Sequence, residues 1–296
     1  MKGKWKAVVR LTRYKEYLCF VVVTTLLGAG AAQGNLGWKL LGVLVANWLA
    51  VGFSFMINDV EDAEDDCLTP GKAMRNPVSA KELSKTEGVI AAMTVGIAAG
   101  ILYASLGIKT MLAGWFCLGL GYLYSWKKVR LKAVPVLDVI SHGFMLAGLQ
   151  LLAAVYAFEP IPVSSWLWPL IFVATISMYG QLFNEVRDFE GDRKAGVTHT
   201  ANFIGKRWAS FLMLCFLVLG SSTGVYTMLW VNYIPIWVLA FTGILAIAMV
   251  IKPVFLSSNA KSVIEAHAGW QKPVEIAAAI GLGTWFVGPW FLNLMS

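Results

Sequence analysis

The sequence predicts an all-α polytopic membrane protein, a bundle of nine transmembrane helices whose candidate active-site loops face the cytoplasm. Three observations carry this. Hydrophobic residues make up 58% of the 296 positions and charged residues 14%, with mean hydropathy +0.67, outside the composition of soluble domains. Nine apolar stretches, centred near Val23, Val45, Ile97, Cys117, Leu146, Ala174, Phe216, Leu245 and Gly283, match the roughly 20 residues that a bilayer core demands of a helix. Finally, 22 of the 24 lysines and arginines fall in the N-terminus and the even-numbered loops, leaving only Lys39 and Lys109 on the other side. That asymmetry puts the N-terminus inside and the C-terminus outside.

Each element follows in order. Lys2, Lys4, Lys6, Arg10, Arg13 and Lys15 precede the first apolar run. With Ala29-Gly30-Ala31-Ala32 behind it, the run has the outline of a signal peptide, but it reads as a first transmembrane helix. The outer loops, near 34–37, 107–109, 160–165 and 231–233, are short, whereas the inner segments 59–87 and 185–207 are long and polar. A β-barrel is excluded because runs such as Phe211 to Leu219 do not alternate. The net charge of +7 does not indicate nucleic acid, since the cations track the inner loops. With no linker in sight, residues 1–296 form a single intramembrane domain. The cysteines Cys19, Cys67, Cys117 and Cys215 are far apart and read as packing residues.

Polar chemistry concentrates at two places, which hold 10 of the 17 acidic residues. Span 2 ends in Asn58-Asp59-Val60-Glu61-Asp62-Ala63-Glu64-Asp65-Asp66. On a continuing helix Asp59, Asp62 and Asp66 share one face. Three carboxylates on one stripe repel unless a cation joins them, and hard oxygen ligands favour Mg²⁺ held together with substrate phosphates. Span 6 ends likewise: Asn184, Asp188 and Asp192 recur every fourth residue. Both spans close with Asn followed by an acid, which leaves an internal repeat open. Between them Lys127, Lys128, Arg130 and Lys132 offer cations to a diphosphate, as do Lys72, Arg75, Arg193 and Lys194. Contact with anionic lipid is the simpler role for the 127–132 cations.

With these residues the chain resembles the UbiA superfamily of intramembrane prenyltransferases over essentially its whole length. The NDxxDxxxD motif is matched by Asn58, Asp59, Asp62 and Asp66, the DxxxD motif by Asp188 and Asp192 with Gly196 after it, and the YxxxK element by Tyr124 and Lys128. The resemblance implies a transferase that binds an isoprenoid diphosphate and a lipophilic acceptor in the bilayer. It implies Mg²⁺ on Asn58, Asp59, Asp62, Asp66, Asp188 and Asp192, with Asp62, Asp66, Asp188 and Asp192 catalytic. Asn58, Lys72, Arg75, Tyr124, Lys128, Arg130, Lys132, Asn184 and Lys194 would bind the diphosphate. The chain departs from the family after the first motif, where Arg-Pro-x-Pro-x-Gly is replaced by Arg75-Asn76-Pro77-Val78-Ser79-Ala80.

Two other readings stand beside transfer. An intramembrane terpene cyclase needs the same aspartates. A transporter would carry its acids near the bilayer midplane, where this chain has few. Asp138 and His142, one helical turn apart, form either an acid-base pair facing the acceptor or a structural polar lining. His199 and His267 receive no role.

Overall fold

A computed structural model describes residues 2–68, 70–158, 161–194, 196–229, 234–256 and 263–295. Among them every regular element is helical. The chain opens with α1 (Lys2–Leu11), whose Ala7 and Leu11 are buried while Trp5 is exposed, as an interfacial amphipathic helix requires. Then come α2 (Leu18–Ala31), α3 (Trp38–Glu61), the short α4 (Ala63–Asp66) and α5 (Pro70–Arg75), α6 (Lys85–Ser105) and α7 (Ile108–Ser125). The second half holds α8 (Leu137–Gly143), α9 (Leu149–Tyr156), α10 (Val163–Lys194), α11 (Thr200–Ile204), α12 (Lys206–Leu229), α13 (Ile236–Leu256) and α14 (Val263–Met295). Eight of the nine predicted apolar centres lie within these α-helices, and the ninth, Leu146, falls in the helical turn between α8 and α9. Among the described residues five helices are long and apolar enough to cross a membrane, those at Trp38–Glu61, Lys85–Ser105, Leu137–Tyr156, Val163–Arg193 and Lys206–Leu229. The predicted loop at 231–233 lies outside the described residues.

Helix α3 packs on α6 and α7, α2 on α9, α10 on α12, and α14 on both α13 and α2. Glycine permits the closest approaches: a Cβ on Gly28 would stand 2.4 Å from the Leu151 carbonyl oxygen. The outward faces of α6, α12 and α13 expose Ile97, Ile101, Phe211, Val218, Ile244 and Ile247, the apolar surface a lipid solvent selects.

Inside the bundle most buried polar groups are paired, Asp59 Oδ2, Asn202 Oδ1 and Thr227 Oγ1 being the exceptions among the described residues. A π-helical turn, Phe144–Gly148, joins α8 to α9. The Gln150 amide donates to the carbonyls of Met145 (3.1 Å) and Leu146 (2.7 Å), which this turn would otherwise leave weakly bonded. Asn47 donates to Thr25 and to the Gln150 carbonyl and accepts from Tyr103, tying α2, α3, α6 and α9 together. In a bilayer each of these groups would cost several kcal/mol if left unpaired.

Two expectations are corrected. Segment 59–87 is not one loop: α3 continues through Glu61, Asp62 sits at a kink, and α4 and α5 follow. Asp62 and Asp66 still donate their N–H groups four residues back, so the chain bends without unwinding. Segment 185–207 is likewise not one loop, since α10 runs on to Lys194; the stripe of Asn184, Asp188 and Asp192 lies on its last turns, as their spacing predicts.

Candidate active site

The inner end of α3 presents Asn58 and Asp62 to the segment that follows α7. There Arg130 adopts a left-handed backbone (φ 47°) and opens a single 3-10 turn, Leu131–Ala133. This geometry turns two cations back onto the first motif. Lys132 donates to Asn58 Oδ1 at 2.9 Å and to Asp62, while the Arg130 guanidinium reaches Asp62 (3.3 Å) and Asp65 (2.9 Å). Ser125 also donates to Asn58. Burial pulls the Lys132 ammonium below the ordinary lysine range, against the opposing pull of Asp62. Lys127 pairs with Glu64 at 2.6 Å. Lys128 lies over the Trp126 ring at 5.7 Å and has no carboxylate partner among the described residues.

Asp59 and Asp66 are buried and held from a different side. Asn76 donates to the Asp59 carbonyl at 2.7 Å and to Asp66 Oδ2 at 2.9 Å, and its own oxygen accepts from the Val78 and Ser79 N–H groups. Arg13 brings a guanidinium within 3.4 Å of Asp59 Oδ1, pairs with Glu16 and stacks on Phe55 at 4.6 Å. The other carboxylate oxygen, Asp59 Oδ2, is buried without a hydrogen-bond partner. Arg75 lies within electrostatic reach of Asp59.

On α10, Asn184 and Asp188 expose their side chains; Asp188 pairs with Arg187 and feels the charge of Lys72 across from α5. Asp192 accepts from His199 Nε2 at 3.1 Å, and the other ring nitrogen lies 3.3 Å from Glu185. Burial works against charge on this ring, but hydrogen bonds to Asp192 and Glu185 prevail and lift His199 to about 9. The Lys194 side chain lies outside the described residues, as does that of His267. Between the motifs stands Tyr124, its hydroxyl within hydrogen-bonding reach of Gln181 and its ring close enough to sense both Asp62 and Glu185. The structure thus brings Asn58, Asp62, Tyr124, Arg130 and Lys132 together and leaves Lys128 apart.

Asp138, Glu185 and His199 have ligand atoms within 4.8 Å of one another. Their lone pairs are already engaged: Asp138 accepts from the Thr200 N–H (2.6 Å), the Thr200 hydroxyl and the Val139 N–H, and Glu185 accepts from Gln181 and the Ala201 N–H. The cluster is a hydrogen-bond lock that ties the turn after α10 to α8. Asp138 therefore takes the structural role. His142 is not its partner but contacts the Ser177 hydroxyl at 3.1 Å.

The motif side chains suit Mg²⁺. Asn58, Asp59, Asp62, Asp66, Asp188 and Asp192 offer only oxygen, one buried oxygen of Asp59 is unpartnered, and the nearby imidazole of His199 is a donor to carboxylates rather than a ligand. Asn76, Arg13, Glu185 and His199 were not among the expected site residues. The one visible signal was the departure from the family pattern that placed Asn76 after Arg75.

The model of the UbiA prenyltransferase family matches residues 21–266. A lycopene elongase/hydratase of Haloarcula japonica is 31% identical over 172 residues, covering 56% of this chain and 55% of its own length. The chain thus spans just over half the length of that relative. A digeranylgeranylglyceryl phosphate synthase of Pyrococcus abyssi is 24% identical over 288 residues, 96% of this chain and 97% of that one. Among solved structures, a UbiA homolog from Archaeoglobus fulgidus bound to GPP and Mg²⁺ superposes with a TM-score of 0.71 at 23% identity, covering 95% of this chain and 98% of that chain.

Proposed function

This chain belongs to the UbiA prenyltransferase family, and we propose that it transfers a prenyl group from an isoprenoid diphosphate to a lipophilic acceptor within the membrane, with Mg²⁺ as cofactor. The observation that supports this most directly is the convergence on Asp62 of Lys132 and Arg130, two cations at the mouth of an all-oxygen carboxylate site. Mg²⁺ on Asn58, Asp59, Asp62, Asp66, Asp188 and Asp192 would neutralise the diphosphate as it leaves.

The chain's own residues account for the rest. Lys132 and Arg130, now spent on Asp62, become free to hold phosphate oxygens once the carboxylates have another counter-charge. Lys72, within electrostatic reach of Asp188, and Arg75 add charge from α5. Heterolysis of the allylic C–O bond sends the electron pair out with the diphosphate. A nucleophilic carbon or oxygen of the acceptor then takes the cationic prenyl carbon and loses a proton. The reading includes nine membrane spans in one domain, with the N-terminus and both motifs cytoplasmic and the C-terminus outside.

The test is diphosphate release from geranylgeranyl diphosphate by purified protein with Mg²⁺ or EDTA, beside Asp62→Ala and Asp192→Ala, with products read by mass spectrometry. Mg²⁺-dependent release that both variants lose supports the site, and a product heavier than either substrate identifies transfer. A ring-closed product built from the donor's carbons alone would make the protein a cyclase.

A further inference from the structure

On the membrane side of the second motif, α10 carries one more polar strip. Ser177, Gln181 and Glu185 recur every fourth residue and so share a face. Opposite them, Tyr124 of α7 lies within hydrogen-bonding reach of Gln181, while His142 of α8 touches Ser177 and lies beside the Tyr124 ring, centroids 6.3 Å apart. Gly143 lets α8 come this close, since a Cβ there would stand 2.7 Å from Met178 Cγ. Leu137 and Ile140 are the exposed residues of α8. The half-buried His142 lies about 140° and 160° round the helix from them, so its ring faces the bundle rather than lipid. An ionisable side chain inside a candidate membrane span is costly to keep and marks function.

The hydrogen bonds fix which ring nitrogen is free. The Ser177 hydroxyl donates to the His142 backbone carbonyl at 3.4 Å, so toward the ring its oxygen can only accept. It lies 3.1 Å from Nδ1, which therefore carries the proton. Nε2 is then unprotonated, and it forms no hydrogen bond among the described residues. A neutral imidazole oriented through Nδ1, with a free lone pair on Nε2, is built as a general base. The neighbouring bases are occupied: Asp138 accepts from Thr200, Glu185 from Gln181 and Ala201, and both nitrogens of His199 meet carboxylates. We propose that His142 is the base that takes the proton released when the acceptor captures the prenyl group. This role rests on the transfer reading above and completes its last step. The allylic C–O bond breaks with its electron pair on the diphosphate, the acceptor's electron pair forms the new bond to the prenyl carbon, and the acceptor's proton passes to Nε2. The imidazolium so formed is within electrostatic reach of Glu185, whose charge offsets its own.

Accessibility is read first, without turnover. Purified protein is treated with diethyl pyrocarbonate, which acylates unprotonated imidazole, and its histidine peptides are followed by mass spectrometry. His142 is expected to react, and to be protected at least about tenfold by Mg²⁺ with the unreactive geranylgeranyl thiolodiphosphate. No reaction at His142, or a reaction that the analogue leaves unchanged, would place the ring away from the donor and overturn the proposal. Transfer is then assayed from geranylgeranyl and dimethylallyl diphosphate, with lycopene as a carbon nucleophile and a prenylglyceryl phosphate as an oxygen nucleophile. His142→Gln keeps a hydrogen-bonding side chain but no base. The share of cleaved donor recovered as transfer product should fall about 100-fold or more, with prenyl alcohol in its place. Affinity for the thiolodiphosphate should change less than about twofold. An unchanged product share means that another group takes the proton, and a parallel loss of donor affinity makes the ring structural; either result overturns the base. A protected His142 in a wild type that cleaves the donor but transfers to neither probe would overturn the transfer reading, and the base with it, while the ring's place beside the donor would stand.

Discussion

Asn76 holds Asp66 in place: its amide nitrogen lies 2.9 Å from the Asp66 carboxylate and also donates to the Asp59 backbone carbonyl at 2.7 Å. One side chain therefore couples two motif residues across the kink at Asp62. In Asn76→Ala, Asp66 keeps its charge but loses the donor that orients it. Groups that orient metal ligands are typically worth about 10–100-fold in metal affinity. The Mg²⁺ concentration giving half-maximal activity should rise by about that factor, with a smaller fall in kcat at saturating Mg²⁺. An unchanged Mg²⁺ dependence would show that Asn76 only supports the backbone.

Lys132 donates to both Asn58 and Asp62 from a nearly buried position. Lys132→Gln keeps a donor but removes the charge, so KM for the prenyl diphosphate should rise about tenfold, the worth of one charge-assisted hydrogen bond. Lys128→Gln, facing Trp126 instead, should change it less than about threefold. The reverse ranking would mean that the segment after α7 rearranges when substrate arrives.

His199 links pH to stability in the metal-free protein. Its folded value, raised to about 9 by Asp192 and Glu185, exceeds the ordinary value near 6.5. The stabilisation is therefore complete below about pH 6.5 and is lost as pH rises through 9. Thermal midpoints recorded in EDTA should fall between those pH values. His199→Gln should begin lower at pH 6.5 and fall less; parallel curves would remove His199 from the account.

Lys81 sits in the left-handed region (φ 59°) in the turn where Pro77 accepts from the Glu82 and Leu83 N–H groups. A side chain there costs about 1–2 kcal/mol, and glycine returns part of this as unfolded-state entropy. Lys81→Gly should stabilise the protein by about 0.5–1 kcal/mol in a denaturant titration, whereas Lys81→Val should destabilise it.

Hydropathy and helical spacing are local properties, and what depends on them was legible in the chain. Apolar runs of bilayer length had to become helices, because a backbone in lipid must satisfy its own hydrogen bonds. The 3.6-residue period put Asn184, Asp188 and Asp192 on one face of α10 whatever its neighbours. Partnerships between distant positions were not legible. That Lys132 rather than Lys128 meets Asp62, that Asn76 replaces the family's pattern with a clamp on Asp66, and that His199 bridges Asp192 and Glu185 all depend on how separate helices pack. Only the tertiary structure decided these, since a side chain's partner is set by the direction its backbone gives it and by what the neighbouring helix places within about 3 Å.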